Sequence, residues 1–306
     1  MKTNPKISIV IPTYKRPHLI GRAIQSVLNQ TYQDFEIMII DDSPNDDTEK
    51  VVREFNDKRI KYIKNEQKTN IPAARNQGVR ESNQDSKYIA FLDDDDEWLP
   101  LFLEKTIKRL EEKNDLAYVT TYAELRTYDG KKLPKIHGKL GEWWRTGVGS
   151  GCLIRKEIFN KENLWFDEKM FFEDMDLGLR ILQRFKVEAI PEVLRIYYYY
   201  PLVKRESYST FTPETSSESL EYFYKKHYQI YQKIGKKALG WLCFFTGTVL
   251  CKAGKPQGGK NYFLKACLIY PHPRYLLYYL ISLFFPSLFQ NIRFLILKQK
   301  VFRGKI

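Results

Sequence analysis

The feature that most constrains this chain is an alternation, in which short apolar runs stop at polar loops and each is followed by a helical pattern. Ile7-Ser-Ile-Val-Ile11 is punctuated by Pro12 and the loop Thr13-Tyr-Lys-Arg-Pro17, after which Ile20, Ala23, Ile24, Val27 and Leu28 recur at helical spacing. Phe35-Glu-Ile-Met-Ile-Ile40 stops at Asp41-Asp42, and Ser43 to Thr48 offers helix N-caps ahead of Val51 to Phe55. Arg59 to Lys64 predicts a third strand, Pro72 to Ser82 a helix opened by proline, and Tyr88 to Leu92 a fourth strand. Strands alternating with helices imply an α/β fold whose mainly parallel sheet is covered on both faces by right-handed crossovers.

The fourth run ends in Asp93-Asp-Asp-Asp96. Four adjacent carboxylates at the carboxyl end of a strand repel one another unless a cation or hydrogen-bond donors gather there, and that edge of an open α/β sheet is where ligands bind. Period-2 geometry sends Asp93 and Asp95 to one side if the chain stays extended. Hard oxygen ligands suit Mg²⁺ or Mn²⁺, and Mg²⁺ typically takes one or two protein carboxylates and leaves the rest to water and phosphates. The same acids also suit a solvated turn capping a helix near Leu99. The Thr13 loop, Asp41 and Asp93 fall at strand ends on one edge, which makes a nucleotide-sized crevice. No GxGxxG follows the first strand, which argues against a dinucleotide enzyme, and no GxxxxGKS occurs, so a P-loop is excluded.

Charge divides the chain. Residues 222–306 carry 15 Lys and Arg and no Asp or Glu, whereas the preceding residues are close to neutral. A basic tail suits nucleic acid or an anionic membrane; its aromatic and aliphatic content favours the membrane, and no nucleic-acid partner is expected. Cys152, Cys243, Cys251 and Cys267 form no CxxC pair and accompany no zinc-type histidine spacing, which reads as buried thiols of a reducing compartment. The N-terminal apolar segment is too short for a signal-peptide core, so a cytoplasmic location is expected.

The order Ile9-Val-Ile-Pro-Thr-Tyr-x-Arg16, Ser26-Val-Leu-Asn-Gln-Thr-Tyr32, Ile39-Ile-Asp-Asp-Ser43, Ala74-Arg-Asn-x-Gly78 and Phe91-Leu-Asp-x-Asp-Asp96 resembles the nucleotide-sugar domain of family 2 glycosyltransferases. The resemblance covers about residues 6–200 and implies a GT-A-type, Rossmann-like fold: a mixed, mainly parallel sheet flanked by helices, with a C-terminal helical extension. It implies donor-nucleotide contacts at Pro12, Thr13, Tyr14, Arg16, Asp41, Arg75, Asp93 and Asp94. Asp95 and Asp93 match the DxD pair that holds a divalent cation on the diphosphate, with an additional role at Asp96. Phe171-Phe-Glu-Asp-Met-Asp176 resembles the family's ED motif, which puts the general base at Asp174, an orienting neighbour at Glu173 and a fallback at Asp176. Gly147-Val-Gly-Ser-Gly-Cys-Leu-Ile-Arg155 resembles the acceptor-side loop, giving Gly149, Ser150 and Gly151, with Trp143 and Trp144 before it as a sugar-stacking or core wall. Lys204 and Arg205 sit in a basic loop that would close on the diphosphate, although the histidine of many relatives is missing from it.

The expected activity is inverting, metal-dependent (Mg²⁺ or Mn²⁺) transfer of a sugar from a nucleoside diphosphate sugar, UDP-sugar favoured, to a hydroxyl of a glycan or lipid-linked acceptor. Residues 1–212 are the expected catalytic domain. Residues 213–306 are a basic, aromatic-rich helical region, in which Gly247, Gly254, Gly259, Phe263, Ala266 and Pro271 space a helical hairpin like one tetratricopeptide repeat. Tyr275 to Phe289 is too short to span a bilayer and suits a segment lying in its interface, which places the protein peripherally on the inner face of the cell membrane. A nucleotidyltransferase using the same metal-diphosphate chemistry and a non-catalytic membrane- or partner-binding protein are the rival readings.

Overall fold

A computed structural model describes residues 5–137, 147–199 and 213–284. The chain divides into two compact units: Met1–Glu168 with Glu173–Thr210, and Lys169–Phe172 with Phe211–Ile306.

The first unit is built on one sheet, nine-stranded among the described residues. Its parallel half contains β1 (Ile7–Thr13), β2 (Phe35–Asp41), β3 (Ile60–Lys64) and β4 (Tyr88–Phe91). Its second half contains β5 (Glu97–Trp98), β6 (Leu116–Thr127), β7 (Lys132–His137), β8 (Cys152–Arg155) and β9 (Lys186–Tyr199). The order is β3-β2-β1-β4-β8-β6-β9-β5, with β7 paired to β6. β1 pairs parallel with β2 and β4, β2 with β3, and β6 with β9; β8 runs antiparallel to β4 and β6, and β5 antiparallel to β9. The mixed, mainly parallel sheet is therefore as expected.

Alternation along the strands sorts the core into two layers. Ile7, Ile9 and Ile11 of β1 pack with Ile20, Ile24 and Val27 of α1 (Pro17–Leu28) and with Phe102 and Ile107 of α4 (Phe102–Glu112). Val10, Ile89 and Phe91 point the other way, onto Ala74 and Val79 of α3 (Ile71–Glu81) and Leu177 and Ile181 of α6 (Glu173–Leu182). Helices α2 (Asp47–Glu54) and α5 (Glu157–Asn160) complete this unit. Helix α3 starts where Asn70 caps the Ala73 N–H at 3.0 Å and Pro72 fills the first turn. It lies so close to β1 that a Cβ on Gly78 would sit 2.3 Å from Val10 Cγ1.

The second unit holds α7 (Pro213–Ile234), α8 (Lys236–Lys252), α9 (Pro256–Ile269) and α10 (Pro273–Phe284). Helices α8 and α9 form the hairpin that the glycine and aromatic spacing predicts. They cross at Gly247 and Gly259, where a Cβ on either would lie 2.8 Å from the other's carbonyl oxygen, and Phe263, Phe244, Cys251 and Tyr275 pack around the crossing. All four cysteines are free thiols. Among the described residues no helix is long and apolar enough to cross a membrane.

Candidate active site

The parallel pairing of β1 with its two neighbours lines up three chain exits. Thr13 lies in register with Asp41, and Val10 with Phe91, so the Thr13 loop, the Asp41-Asp42 pair and the four aspartates leave the sheet along one edge. Beyond Phe91 the chain does not stay extended. The Asp96 N–H donates to the Asp93 carbonyl at 3.1 Å, closing a turn. The two-sided alternation expected of an extended run is thereby corrected: Asp94 and Asp95 share one arginine and Asp93 turns to another.

Arg16, 7% exposed at the start of α1, donates through Nη1 to Asp94 Oδ1 at 2.8 Å and to Asp95 Oδ2 at 3.3 Å. Thr13 Oγ1 donates to Asp94 Oδ2 at 2.8 Å, so both Asp94 oxygens are taken. Burial still raises the Asp94 pKa, against the pull of Arg16 and Thr13. Burial also drives Asp96 well above the usual carboxylate range, and repulsion from Asp95 and Asp93 adds to it. Asp93 is the open member of the four, with its side chain 33% exposed against 4% and 11% for Asp94 and Asp95.

Arg75 joins this turn to the ED motif. From α3 its Nη2 meets Asp93 Oδ1 at 2.8 Å and its Nη1 meets Glu173 Oε1 at 2.5 Å. Burial opposes the Arg75 charge, but Asp93, Glu173 and Asp174 outweigh it and hold the guanidinium protonated. Burial pushes Glu173 up to about 8; Arg75 works against that, while Asp174 and Asp93 add to it by crowding the same cation. Asp174 is raised too, by burial first, with Arg75 opposing. Asp174 Oδ1 accepts the Met175 N–H at 2.7 Å, and its Oδ2 lies against the glycine loop. A Cβ on Gly147 would come within 2.3 Å of Asp174 Oδ2, one on Gly149 within 3.6 Å, and the Val148 N–H donates to the Asp174 carbonyl at 2.9 Å. Asp176 is fully buried and committed to Arg180, with contacts of 2.6 and 2.8 Å, so the fallback acid is a structural one.

Asp41 is fully buried, accepting from the Ser43 N–H at 2.8 Å and the Tyr62 hydroxyl at 2.6 Å. Pro12 is buried in β1 beside it. Tyr14 is partly exposed and carries Lys68 Nζ 3.8 Å above its ring. Trp143, Trp144, Lys204 and Arg205 lie outside the described residues.

Two asparagines that hold the site were not singled out by the sequence. Asn76 brackets Phe166, donating to its carbonyl at 3.0 Å and accepting from its N–H at 3.1 Å, while Asn70 donates to the Glu168 carbonyl at 2.8 Å. These bonds fix the segment that leads towards α6. Asn76 lies inside a recognised motif, but its role depends on a residue 90 positions away.

Among the described residues no three His, Cys, Asp or Glu side chains converge to hold a metal by themselves. Asp93, the most open of the four carboxylates, is a hard oxygen donor of the kind that suits a cation drawing most of its oxygens from a phosphate chain and water, which is how Mg²⁺ is usually held.

Comparison with known proteins agrees with this geometry. The profile described as Glycosyl transferase family 2 matches residues 8–172. An uncharacterized glycosyltransferase of Methanocaldococcus jannaschii is 30% identical over 241 residues, covering 72% of this chain and 82% of its own. The UDP-Glc:α-D-GlcNAc-diphosphoundecaprenol β-1,3-glucosyltransferase WfgD of Escherichia coli is 39% identical over 193 residues, 60% of this chain and 72% of its own. The mannosyltransferase PcManGT of Pyrobaculum calidifontis, solved with GDP-Man and Mn²⁺, superposes with a TM-score of 0.58 at 13% identity, covering 100% of this chain and 89% of its own, a likeness of fold. Relatives that are glycosyltransferases by name set aside the nucleotidyltransferase and the non-catalytic readings. With the GT-A architecture, the family motifs in order and these matches, the chain belongs to glycosyl transferase family 2 and is a glycosyltransferase.

Proposed function

We propose that this enzyme transfers a sugar from a nucleoside diphosphate donor, UDP-linked by preference, to a hydroxyl of a lipid-linked glycan, with inversion and with Mg²⁺ or Mn²⁺. The observation that carries the reading is the Arg75 guanidinium held between Asp93, at the strand-end turn, and Glu173, beside Asp174. It joins the acids that suit a diphosphate-bound cation to the acids that suit a base. WfgD, by its name a UDP-glucose enzyme acting on a diphosphoundecaprenol acceptor, supports the donor and acceptor classes. PcManGT in complex with GDP-Man and Mn²⁺ supports the metal.

Asp93 and Asp95 are the residues that would hold the cation, which supplies charge neutralisation to the departing diphosphate. The rest is the work of side chains. Asp174 Oδ2 accepts the proton of the acceptor hydroxyl as its oxygen bonds the anomeric carbon and the bond from that carbon to the diphosphate oxygen breaks. Glu173 and Arg75 orient that carboxylate, and Thr13 and Arg16 fix the acidic turn. We assign catalysis to residues 1–212. The helices from 213 onward we assign to an anionic membrane on its inner, cytoplasmic face, supported by their basic charge and by the leucines exposed on α9 and α10.

The test is a thermal-shift panel of nucleotide sugars with and without Mn²⁺, followed by transfer assays on two variants. Asp95→Ala should abolish metal-dependent donor stabilisation and transfer. Asp174→Asn should lower transfer by about 10²–10⁴-fold with donor affinity nearly unchanged. Full activity in EDTA removes the metal, and loss of donor binding in Asp174→Asn removes Asp174 from the base role.

A further inference from the structure

Arg195 is 7% exposed in the middle of β9, and among the described residues no carboxylate lies within ion-pair distance of it. Its charge is met instead by carbonyl oxygens: Nη1 donates to the Ser150 carbonyl at 2.5 Å, and Nε and Nη2 approach the Thr121 carbonyl at 3.4 Å. A buried cation is costly unless its donors are satisfied, so this fork is spent on backbone groups, one of them in the middle of the loop Gly147–Gly151.

The loop is shaped to receive it. Gly151 has φ +109°, a conformation natural to glycine, and a Cβ there would lie 2.3 Å from Arg195 Nε and 2.4 Å from its Cδ. The Gly151 N–H reaches the Phe91 carbonyl at 3.3 Å, and Thr120 Oγ1 donates to the Gly151 carbonyl at 3.1 Å. The Ser150 hydroxyl faces the buried Asp96 carboxyl, whose pKa burial raises and this hydroxyl and Arg195 act to lower, while the Ser150 carbonyl takes the Arg195 Nη1 donor and anchors the loop. At the loop's other end, Gly147 and Gly149 abut Asp174 Oδ2 and the Val148 N–H holds the Asp174 carbonyl.

We propose that Arg195 is a positioning residue for glycosyl transfer: it pins the loop Gly147–Gly151 through the Ser150 carbonyl, and the loop in turn sets where the Asp174 carboxylate points. This rests on the reading of Asp174 as the base.

The experiment uses the full-length chain with Arg195→Gln, Arg195→Lys and Gly151→Ala. The first readout is amide hydrogen exchange, which needs no substrate. Val148 and Gly151 should exchange at least roughly tenfold faster in Arg195→Gln, with the amides of β1 and β2 unchanged. The second is steady-state transfer with a saturating acceptor, where kcat should fall by about 30- to 100-fold and the donor KM should stay within about threefold, the size expected of a misplaced reacting group. Gly151→Ala pushes on the same contact from the loop side and should reproduce the pattern. The Arg195→Lys side chain keeps the charge and one donor for the Ser150 carbonyl and should recover about a tenth or more of the wild-type rate. Unchanged exchange at Val148 overturns the inference, as does a kcat loss matched by weakened donor binding, or a Gly151→Ala variant of full activity. Failure of the base reading shows differently, as undiminished transfer by Asp174→Asn.

Discussion

Arg75 serves three acids with one charge, and that imbalance is what makes the centre sensitive to pH. Glu173, pushed up to about 8 from an ordinary 4.5, binds its proton more tightly in the folded chain than in the unfolded one. The stability this contributes is fully present below the unfolded value and is lost as pH rises through about 8. Melting temperature should therefore fall between roughly pH 5 and pH 8 in the wild type, and the fall should be shallower in Glu173→Gln, whose amide cannot ionise. Gly147→Ala should act on the base directly, because the added methyl would occupy the space of Asp174 Oδ2. A loss of about 100-fold in kcat is expected, with an unaltered thermal shift by the donor. Acids at a strand end and at a helix start are conspicuous in the sequence, so the four aspartates, Glu173 and Asp174 were legible. Their partners were less so. Which aspartate meets Arg16 or Arg75 depends on a turn closed by one backbone bond from Asp96 to Asp93, and Tyr62 and Arg195 matter only because strands distant in sequence become neighbours.

At the scale of elements, the parallel half of the sheet follows from its pattern almost residue for residue, whereas the other half does not. β9 runs Lys186–Tyr199 with charged residues and Pro191 within it, and a proline argues against a central strand. The structure accommodates Pro191 at an irregularity, where Thr121 pairs with Ile190 but Tyr122 already pairs with Val193. β5 is only the two residues Glu97–Trp98 and pairs antiparallel with β9, which delays the helix expected near Leu99 until Phe102. The seat of α3 gives the element-scale prediction. Gly78→Ala would drive a methyl into Val10 and lift the helix bearing Arg75 off β1, with a loss of about 1–3 kcal/mol in denaturant unfolding. If the helix shifts rather than merely loosening, transfer should fall more than stability does.

Across the whole molecule, the uneven charge and the exposed leucines give the expectation that is simplest to measure. Leu268 is 74% and Phe284 69% exposed, and Leu276, Leu277 and Leu280 lie open along α10. Lys265 sits 5.0 Å over the Tyr262 ring on α9 and Arg274 5.7 Å over the Tyr278 ring on α10, so basic and aromatic groups lie on the same helices. That mixture suits a helix lying in a headgroup layer. Replacing Leu276, Leu277 and Leu280 together by Ser should lower co-flotation with vesicles containing anionic phosphatidylglycerol by about tenfold or more while leaving metal-dependent donor stabilisation unchanged. Equal flotation of variant and wild type would remove these leucines from membrane association.

The four residues Lys169–Phe172 carry a practical consequence for anyone wishing to isolate the sheet unit. The Phe171 N–H donates to Ser219 Oγ at 2.7 Å, and the Phe172 ring packs edge-on against Phe223 and Phe245. Cutting the gene after codon 212 would strip away all three partners, taking the Ser219 acceptor from the Phe171 N–H and both Phe223 and Phe245 from the Phe172 ring, one peptide bond upstream of Glu173. A shortened protein made that way should be sticky and catalytically poor even if every sheet hydrogen bond survives, so removing the helices is not a clean way to ask what they do.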